Sequence, residues 1–317
     1  MPLRKLYYCD HHAIALPPGH KFPVRKYALI RERLAGLYEF VPAPPADPSV
    51  IALAHDPDYI RRFLSGTLPD AVMRRIGFPW SEGLVGRTLG SVGGTLLASG
   101  DAMRCGFGAN LAGGTHHAFR GEGAGFCVFN DLAVAIQSLR ADGRIERASI
   151  IDLDVHQGDG TAAIFEGDPG VLTLSIHARN NFPLRKQRSR VDVALADGAG
   201  DEEFLSALDK VIGRAFESSP QIVFYQSGVD GLASDGLGRL SLTHAGLLER
   251  DRRVMEAARA SRVPFVLTLG GGYSNPIEHT VEAHANTYRL AAQCFAEEGS
   301  GGDGARATAP VLIHYPE

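Results

Sequence analysis

The feature that most constrains the fold is a recurring alternation of short apolar runs and longer helical stretches. The apolar runs are of strand length, several of them are apolar on both faces, and they cover Leu3–Cys9, Ala148–Val155, Val171–His177, Gln221–Ser227 and Pro264–Leu269. Strands that are apolar on both faces are typical of parallel sheets covered by helices. The alternation therefore predicts a parallel α/β sheet.

Helices are predicted between these runs, at Pro23–Tyr38, Pro57–Leu64, Leu84–Ala98, Asn130–Leu139, Asp201–Phe216, His244–Ala260 and Pro276–Phe295. Neither an internal repeat nor an interdomain linker interrupts the series, so a single domain is expected over residues 1–298. The glycine-rich stretch that follows predicts a flexible segment and a C-terminal tail over residues 299–317.

Composition argues against several classes of function. The chain has 32 basic and 36 acidic residues and a net charge of −4, so it offers no global basic field to attract nucleic acid or an anionic membrane. We expect neither a membrane span nor a signal peptide, because long apolar runs are missing from the sequence. The 4 cysteines are scattered, which argues against a disulfide framework or a cysteine zinc site. A cytoplasmic protein is expected, and the abundance of Ala, Arg and Gly indicates a bacterial source.

One predicted strand runs into three ionisable residues. In IDLDVHQGDG, residues 151–160, Asp152, Asp154 and His156 occupy every second position. Since strand side chains alternate, the three are expected to point together into the crevice beyond the carboxyl ends of the strands. Neighbouring buried carboxylates are costly without a cation, and Asp with His suits Zn²⁺ or Fe²⁺. A helix N-cap within GDG would explain only one of the acids.

A second apolar run, IVFYQSGVDG, leads to Asp230, which could complete an Asp-His-Asp ligand set with an open position for water. Two adjacent histidines, His116 and His117, follow two glycines in AGGTHHAF. Beside a metal, one histidine could take a proton from water while the other stabilises charge, with Asp152 and Asp159 available to orient the rings.

The stretch TLGGGYSNP, residues 268–276, contains three glycines followed by Tyr273. Glycines allow the backbone to approach a ligand closely, and a tyrosine hydroxyl at that point can donate a hydrogen bond to a developing oxyanion. The competing interpretation is a phosphate-binding loop, but neither GxGxxG nor GxxxxGK occurs in this stretch.

Together these motifs resemble the histone deacetylase family of zinc amidohydrolases. GGTHHAF, GFCVFND, IDLDVHQGDGT, SGVD and LGGGY occur in the order of that family and span residues 112–273. The flanking stretches HKFPVRKY and PWSEGLVGRTLGSVGGTLL are similar to bacterial and class IV-like members. The resemblance implies a single-domain, three-layer arginase-deacetylase fold with a central parallel sheet of about eight strands and helices on both faces.

The resemblance also implies roles for individual residues. The implied zinc ligands are Asp154, His156 and Asp230. The implied catalytic residues are His117 as general base and acid with Asp159 as its partner, His116 as electrostatic partner held by Asp152, and Tyr273 as the hydroxyl that polarises the carbonyl. The implied substrate channel comprises Gly125, Phe126, Phe182, Leu237, Gly271 and Gly272. A structural K⁺ site is implied at Asp152, Asp154, His156, Ser175 and Ile176.

The implied activity is zinc-dependent removal of acetyl or longer acyl groups from N-ε-acyl-lysine in a protein or peptide, with Fe²⁺ as the alternative metal. A small-molecule deacetylase, such as an acetylpolyamine amidohydrolase, is the alternative function. The loop RNNFPLRKQRSR, residues 179–190, is basic and argues mildly against a polyamine substrate. A silent acyl-lysine binding module would lack a ligand or the tyrosine, and a two-manganese ureohydrolase would need another acid soon after Asp230. Neither a nucleic-acid nor a membrane partner is expected, and no oligomeric state is predicted.

Overall fold

A computed structural model of the chain describes residues 4–296. Its sheet has 8 strands, all of them parallel, in the order β2-β1-β3-β8-β7-β4-β5-β6. The strands are β1 (Arg4–Tyr8), β2 (Tyr38–Pro42), β3 (Phe107–Asn110), β4 (Ala148–Asp152), β5 (Val171–Ala178), β6 (Val191–Leu195), β7 (Val223–Gln226) and β8 (Phe265–Thr268). The predicted parallel α/β sheet of about eight strands is therefore confirmed. The predicted tail at residues 299–317 lies outside the described residues.

Helices surround this sheet. They are α1 (Lys26–Arg33), α2 (Pro48–Ile51), α3 (Pro57–Leu64), α4 (Asp70–Ile76), α5 (Glu82–Cys105), α6 (Asp131–Ala141), α7 (Asp159–Ile164), α8 (Asp201–Val211), α9 (Arg214–Glu217), α10 (His244–Ala260) and α11 (Ile277–Cys294). Between Arg4 and Ala296, none of them is long and apolar enough to cross a bilayer.

Helix α5 is the longest and packs against β1, β3 and β8. It begins where the Ser81 hydroxyl accepts a hydrogen bond from the backbone N–H of Leu84 at 3.1 Å, and it ends at Gly106, whose φ of 82° lies in the left-handed region. Both are standard helix boundaries. Glycines on its buried face let it approach the sheet and the loop after β2 closely.

The strand predicted over Ala148–Val155 ends earlier, at Asp152. Asp154 and His156 therefore lie on the following loop, and strand periodicity is the wrong reason for their convergence. Hydrogen bonds hold this loop instead, because the Leu153 N–H donates to Gln226 of β7 and the Val155 carbonyl accepts from Ala178 of β5. The chain thus stays between its two neighbouring strands until it reaches His156.

Candidate active site

The loops after β4 and β7 bring three possible metal ligands together. One ligand atom each from Asp154, His156 and Asp230 lies within 4.8 Å of the other two, and all three residues are buried. His156 Nδ1 lies 3.0 Å from Asp154 Oδ1 and 3.0 Å from Asp230 Oδ2. Because both carboxylates and the ring nitrogen face one point, the cluster has the donor atoms that a divalent transition metal prefers.

The electrostatics of this cluster favour a positive charge at that point. Burial opposes the charged form of His156, but Asp230 and Asp154 outweigh it and raise its pKa to about 10. Burial and the charge of Asp154 together raise the pKa of Asp230 to about 7. Two buried carboxylates this close require a compensating cation, so the donor set fits a bound metal ion.

Surrounding groups fix the orientation of the two carboxylates. Asp154 Oδ2 accepts hydrogen bonds from the Gln226 side chain at 2.8 Å and from the backbone N–H of Gly271 at 2.9 Å. Asp230 Oδ1 accepts from the backbone N–H of Val155 at 2.9 Å. Gln226 was not among the predicted site residues, because a glutamine inside an apolar strand carries no distinctive signal in the sequence. Its place at the end of β7 beside β4 reveals its role in positioning Asp154.

Two histidine–aspartate pairs lie next to this cluster. His116 Nδ1 is 2.7 Å from Asp152 Oδ2, and His117 Nδ1 is 2.6 Å from Asp159 Oδ1. Asp159 occupies the first turn of α7, but Gly158 is the N-cap residue, so Asp159 is engaged by histidine and not by a helix cap. Asp152 and Asp159 thus lie against the rings they were predicted to partner, and the catalytic roles of these residues stay a prediction.

The two rings have opposite electrostatic environments. Burial lowers the pKa of His116, but Asp152 and Asp154 outweigh it and raise the value to about 9. Burial and the charge of His116 lower the pKa of His117 to about 4, although Asp159 opposes them. Adjacent rings with divergent pKa values are a recurring feature of acid–base sites.

Tyr273 follows the glycine loop after β8, and hydrogen bonds to its backbone and to this loop fix its position. Its backbone N–H donates to Asp235 Oδ2 at 2.6 Å. The loop carbonyls accept hydrogen bonds from Lys26 Nζ, at 3.1 Å for Gly270 and 3.4 Å for Gly272. Burial, with the charges of Asp230 and Asp154, raises the pKa of the Tyr273 hydroxyl well above its usual range. The hydroxyl therefore remains protonated and able to donate.

Lys26 was not predicted from the sequence. It is a buried lysine of α1, far from Tyr273 in sequence, and burial lowers its pKa to about 8 although Asp230 and Asp154 oppose the shift. An ammonium group on two carbonyls restrains the conformation of the loop that carries Tyr273. The stretch HKFPVRKY offered no sign that this lysine would turn inward.

A cavity of about 480 Å³ leads from the surface to the candidate metal ligands Asp154, His156 and Asp230, which we call the metal cluster. His116, His117 and Tyr273 also line it. The predicted channel residues that line it are Gly125, Phe126, Phe182, Leu237 and Gly271. Gly272 does not line it; a Cβ there would meet Thr280 and Val229, so its backbone faces the core behind the cavity.

Gly125 and Phe126 form a closely packed part of the cavity wall. A Cβ at Gly125 would lie 2.7 Å from His117 and 3.1 Å from Phe182, so only glycine fits there. Phe126 has a φ of 65°, which is unusual for a bulky residue, and its N–H is held by the Ile76 carbonyl at 2.7 Å. Such conformations persist only where the surroundings impose them, and they cluster at functional sites.

The residues of the predicted K⁺ site lie on β4, β5 and the loop after β4. Asp152 pairs with Ser175 in the β4–β5 ladder, and Ile176 is the next residue of β5. The Ser175 hydroxyl is hydrogen-bonded to His177 Nδ1 at 2.9 Å. The strand pairing places these residues side by side, and potassium binding stays a prediction.

Comparison with known proteins gives consistent matches. The family model described as histone deacetylase domain matches residues 20–288. An uncharacterised protein of Picosynechococcus sp. is 42% identical over 291 residues, which are 90% of this chain and 97% of that protein. The histone deacetylase-like amidohydrolase of Pseudomonas aeruginosa is 30% identical over 250 residues, which are 73% of this chain and 65% of that protein. Histone deacetylase 2 of Arabidopsis thaliana is 36% identical over 186 residues, 57% of this chain but only 48% of that protein.

Solved structures are similar over most of the chain. The crystal structure of an HDAC homolog from Aquifex aeolicus has a TM-score of 0.77 and 25% identity, and the match covers 92% of this chain and 84% of that one. The structure of an HDAC homolog complexed with SAHA has a TM-score of 0.75 and 25% identity, with 94% of this chain and 85% of that chain covered.

Proposed function

Because the chain belongs to the histone deacetylase family, we propose that it is a Zn²⁺-dependent amidohydrolase that removes acyl groups from N-ε-acyl-lysine. The observation that carries this proposal is the meeting of Asp154, His156 and Asp230 with His117 and Tyr273 at one cavity. These residues supply a metal site, a proton-transfer group and a hydroxyl donor at one place.

Asp154, His156 and Asp230 would hold the metal. When bound there, Zn²⁺ would supply Lewis acidity to the acyl carbonyl and lower the pKa of a water molecule towards about 7. Fe²⁺ would suit the same oxygen and nitrogen donors.

His117 is the proposed general base and acid. Asp159 engages its Nδ1, so Nε2 is left for the cavity, where it can accept a proton from the attacking water and deliver it to the departing lysine amine. Tyr273 is the proposed donor to the acyl oxygen as negative charge develops on it. His116, held by Asp152, would contribute positive charge beside the same centre.

The lining of the cavity favours acyl-lysine over an acetylated polyamine. Within the part of the chain that the structure describes, the only carboxylates that line it are Asp154 and Asp230. Both belong to the metal cluster, so the mouth offers no acid to a second ammonium group. Arg75 and Arg239, which also line the cavity, are basic, and each forms an ion pair, with Glu122 and Asp197 respectively.

The test is release of amine from acetyl-lysine and butyryl-lysine peptides and from acetylputrescine, with Zn²⁺-loaded protein. Tyr273→Phe is expected to lower kcat/KM for the lysine peptides by roughly 10²–10³-fold, because one oxyanion donor is lost. Its metal content should equal that of the wild type. Tyr8→Phe, at a tyrosine that does not line the cavity, is the matched control and should retain wild-type activity.

Release of amine from acetylputrescine alone would indicate that the protein is a small-molecule deacetylase and not a lysine deacylase. If wild-type protein with metal bound releases amine neither from acetylputrescine nor from any acyl-lysine peptide, the proposed function is wrong.

A further inference from the structure

Part of the cavity lining is deeply buried, and the proposed mechanism does not use it. We name it the inner pocket, and the residues that line it are Cys9, Tyr27, Leu84, Arg87, Thr88 and Ser91. Four of them are almost fully buried: Cys9 is 1% exposed, Leu84 2%, Arg87 7% and Tyr27 8%. Leu184, which also lines the cavity, is 92% exposed and so lies at the mouth.

The inner pocket contains an incompletely satisfied guanidinium group. Arg87 projects from α5, and its Cζ lies 4.1 Å from the centre of the Tyr27 ring. Its Nη1 is buried and makes no hydrogen bond to any residue between Arg4 and Ala296. Lys26 Nζ lies 5.3 Å from the centre of the same Tyr27 ring, so two cations adjoin one aromatic side chain.

Nearby groups do not neutralise Arg87. Among the described residues, no carboxylate lies within 4.0 Å of its guanidinium, and Asp10, whose charge acts on it, is paired with Arg31 at 2.8 Å. Burial raises the pKa of Cys9 to about 11 and also raises that of the Tyr27 hydroxyl. Both groups are therefore neutral at physiological pH, while an arginine stays charged.

A buried charge without a counter-charge is strongly unfavourable unless a ligand compensates it. Guanidinium groups bind carboxylates with two parallel hydrogen bonds. The Arg87 guanidinium shares its cavity with the metal cluster, so an acyl group whose carbonyl sits at the metal could extend into the inner pocket.

We propose that the inner pocket binds an acyl chain that ends in a carboxylate, with Arg87 as its specificity-determining residue and succinyl-lysine as the representative substrate. This inference rests on the proposed amidohydrolase function. In the reaction, the amide C–N bond breaks, the oxygen of water bonds to the acyl carbon, and the amine takes the proton. The products are lysine and a dicarboxylate such as succinate, and no other reactant is needed.

The test compares succinyl-lysine and butyryl-lysine in the same peptide. The two acyl chains have equal length and differ only in a terminal carboxylate or methyl group. Wild-type protein is expected to favour succinyl-lysine by at least fivefold in kcat/KM. Arg87→Met should lower the succinyl-to-butyryl ratio by roughly 10- to 100-fold, because a charge-assisted hydrogen bond to a buried carboxylate is lost. Arg104→Met, on the exposed side of the same helix, is the matched control and should keep the wild-type ratio.

A wild-type ratio below fivefold would overturn the inference, and so would an Arg87→Met ratio equal to that of the wild type. If the Arg87→Met ratio equals that of the wild type and free acetate inhibits the variant more weakly than the wild type, Arg87 binds the released carboxylate product and not the acyl chain of the substrate. Should Arg87→Met fail to fold, Arg87→Gln removes the charge but keeps a polar side chain, and a ratio unchanged from the wild type would again reject the inference. Cleavage of butyryl-lysine but not succinyl-lysine rejects the inference alone, whereas cleavage of no acyl-lysine rejects the proposed function itself.

Discussion

At the scale of single residues, His55 shows how burial couples protonation to stability. It is fully buried against Phe129, and its Nε2 accepts a hydrogen bond from the backbone N–H of Asn130 at 2.8 Å. Burial lowers its pKa to about 4, although the hydrogen bond to the Arg120 carbonyl opposes the shift. The ring must therefore be neutral in the folded protein at physiological pH.

The sign of the pH dependence follows from this shift. The unfolded chain binds a proton at His55 near pH 6.5, whereas the folded chain does so only near pH 4. The stabilising contribution is thus complete above about pH 6.5 and is lost as the pH falls towards 4. At pH 5, protonation of His55 in the unfolded chain should lower the free energy of unfolding by about 2 kcal/mol relative to neutral pH.

Urea unfolding of wild type and His55→Gln at pH 7.5 and pH 5 measures this contribution. Glutamine keeps an acceptor for Asn130 but does not titrate, so the variant should lose about 2 kcal/mol less than the wild type between these pH values. Equal losses in the two proteins would contradict the prediction.

The type of residue explains which members of the site could be identified from the sequence and which could not. Histidines, aspartates and a tyrosine in motifs of recognised order pointed to His117, Asp154 and Tyr273. Lys26 and Arg87 were overlooked, because a basic residue in a helix is normally solvated. Only their burial beside Tyr27 and the cavity distinguishes them.

At the scale of elements, α5 is held close to the loop after β2 by a glycine. A Cβ at Gly93 would lie 1.9 Å from the Pro44 carbonyl oxygen, which is backbone and cannot rotate away. At Gly100, in the same helix, a Cβ would meet nothing within 4 Å. Substitution by alanine at Gly93 and at Gly100 therefore distinguishes the effect of helix packing on stability from the effect of helix propensity.

Gly93→Ala should lower the free energy of unfolding by about 1–3 kcal/mol, because the helix must move away from the loop. Gly100→Ala should raise it by about 0.5–1 kcal/mol, because alanine lowers the entropic cost of the helix. Equilibrium unfolding in urea gives both values. A stabilised Gly93→Ala variant would show that the close approach is not required.

Elements also differ in how well sequence predicts them. Pro57–Leu64 and His244–Ala260 were predicted with correct bounds, whereas the strands β2, β3 and β6 were missed. β3 is four residues long and contains glycine and asparagine, and β6 is an edge strand with a charged residue. The helix predicted over Pro23–Tyr38 is wrong beyond Arg33, because Tyr38 begins β2. Short strands gain their stability from neighbours and not from their own pattern.

At the scale of the whole molecule, the candidate metal ligands Asp154, His156 and Asp230 lie on the loops that follow two adjacent central strands, β4 and β7. Removing the metal with a chelator should lower Tm, and restoring Zn²⁺ should recover it. The reason is that a ligand that binds only the folded state adds about 2.7 kcal/mol to the free energy of unfolding when its concentration is 100 times its Kd. In Asp154→Asn, Tm should hardly respond to the chelator. Equal responses of the variant and the wild type would place the bound metal elsewhere.

By itself the sequence determined the fold class, the family and the groups that carry the proposed chemistry. Apolar runs separated by helices specify a covered parallel sheet, and reactive side chains stand out by residue type. Only the tertiary structure decided that Gln226 holds Asp154 and that Gly272 faces the core. It also decided that Arg87 lines the cavity with its Nη1 unbonded by any residue from 4 to 296. These facts depend on contacts between residues far apart in the chain, and the local pattern of a sequence does not encode which distant groups will satisfy a buried charge or hydrogen bond.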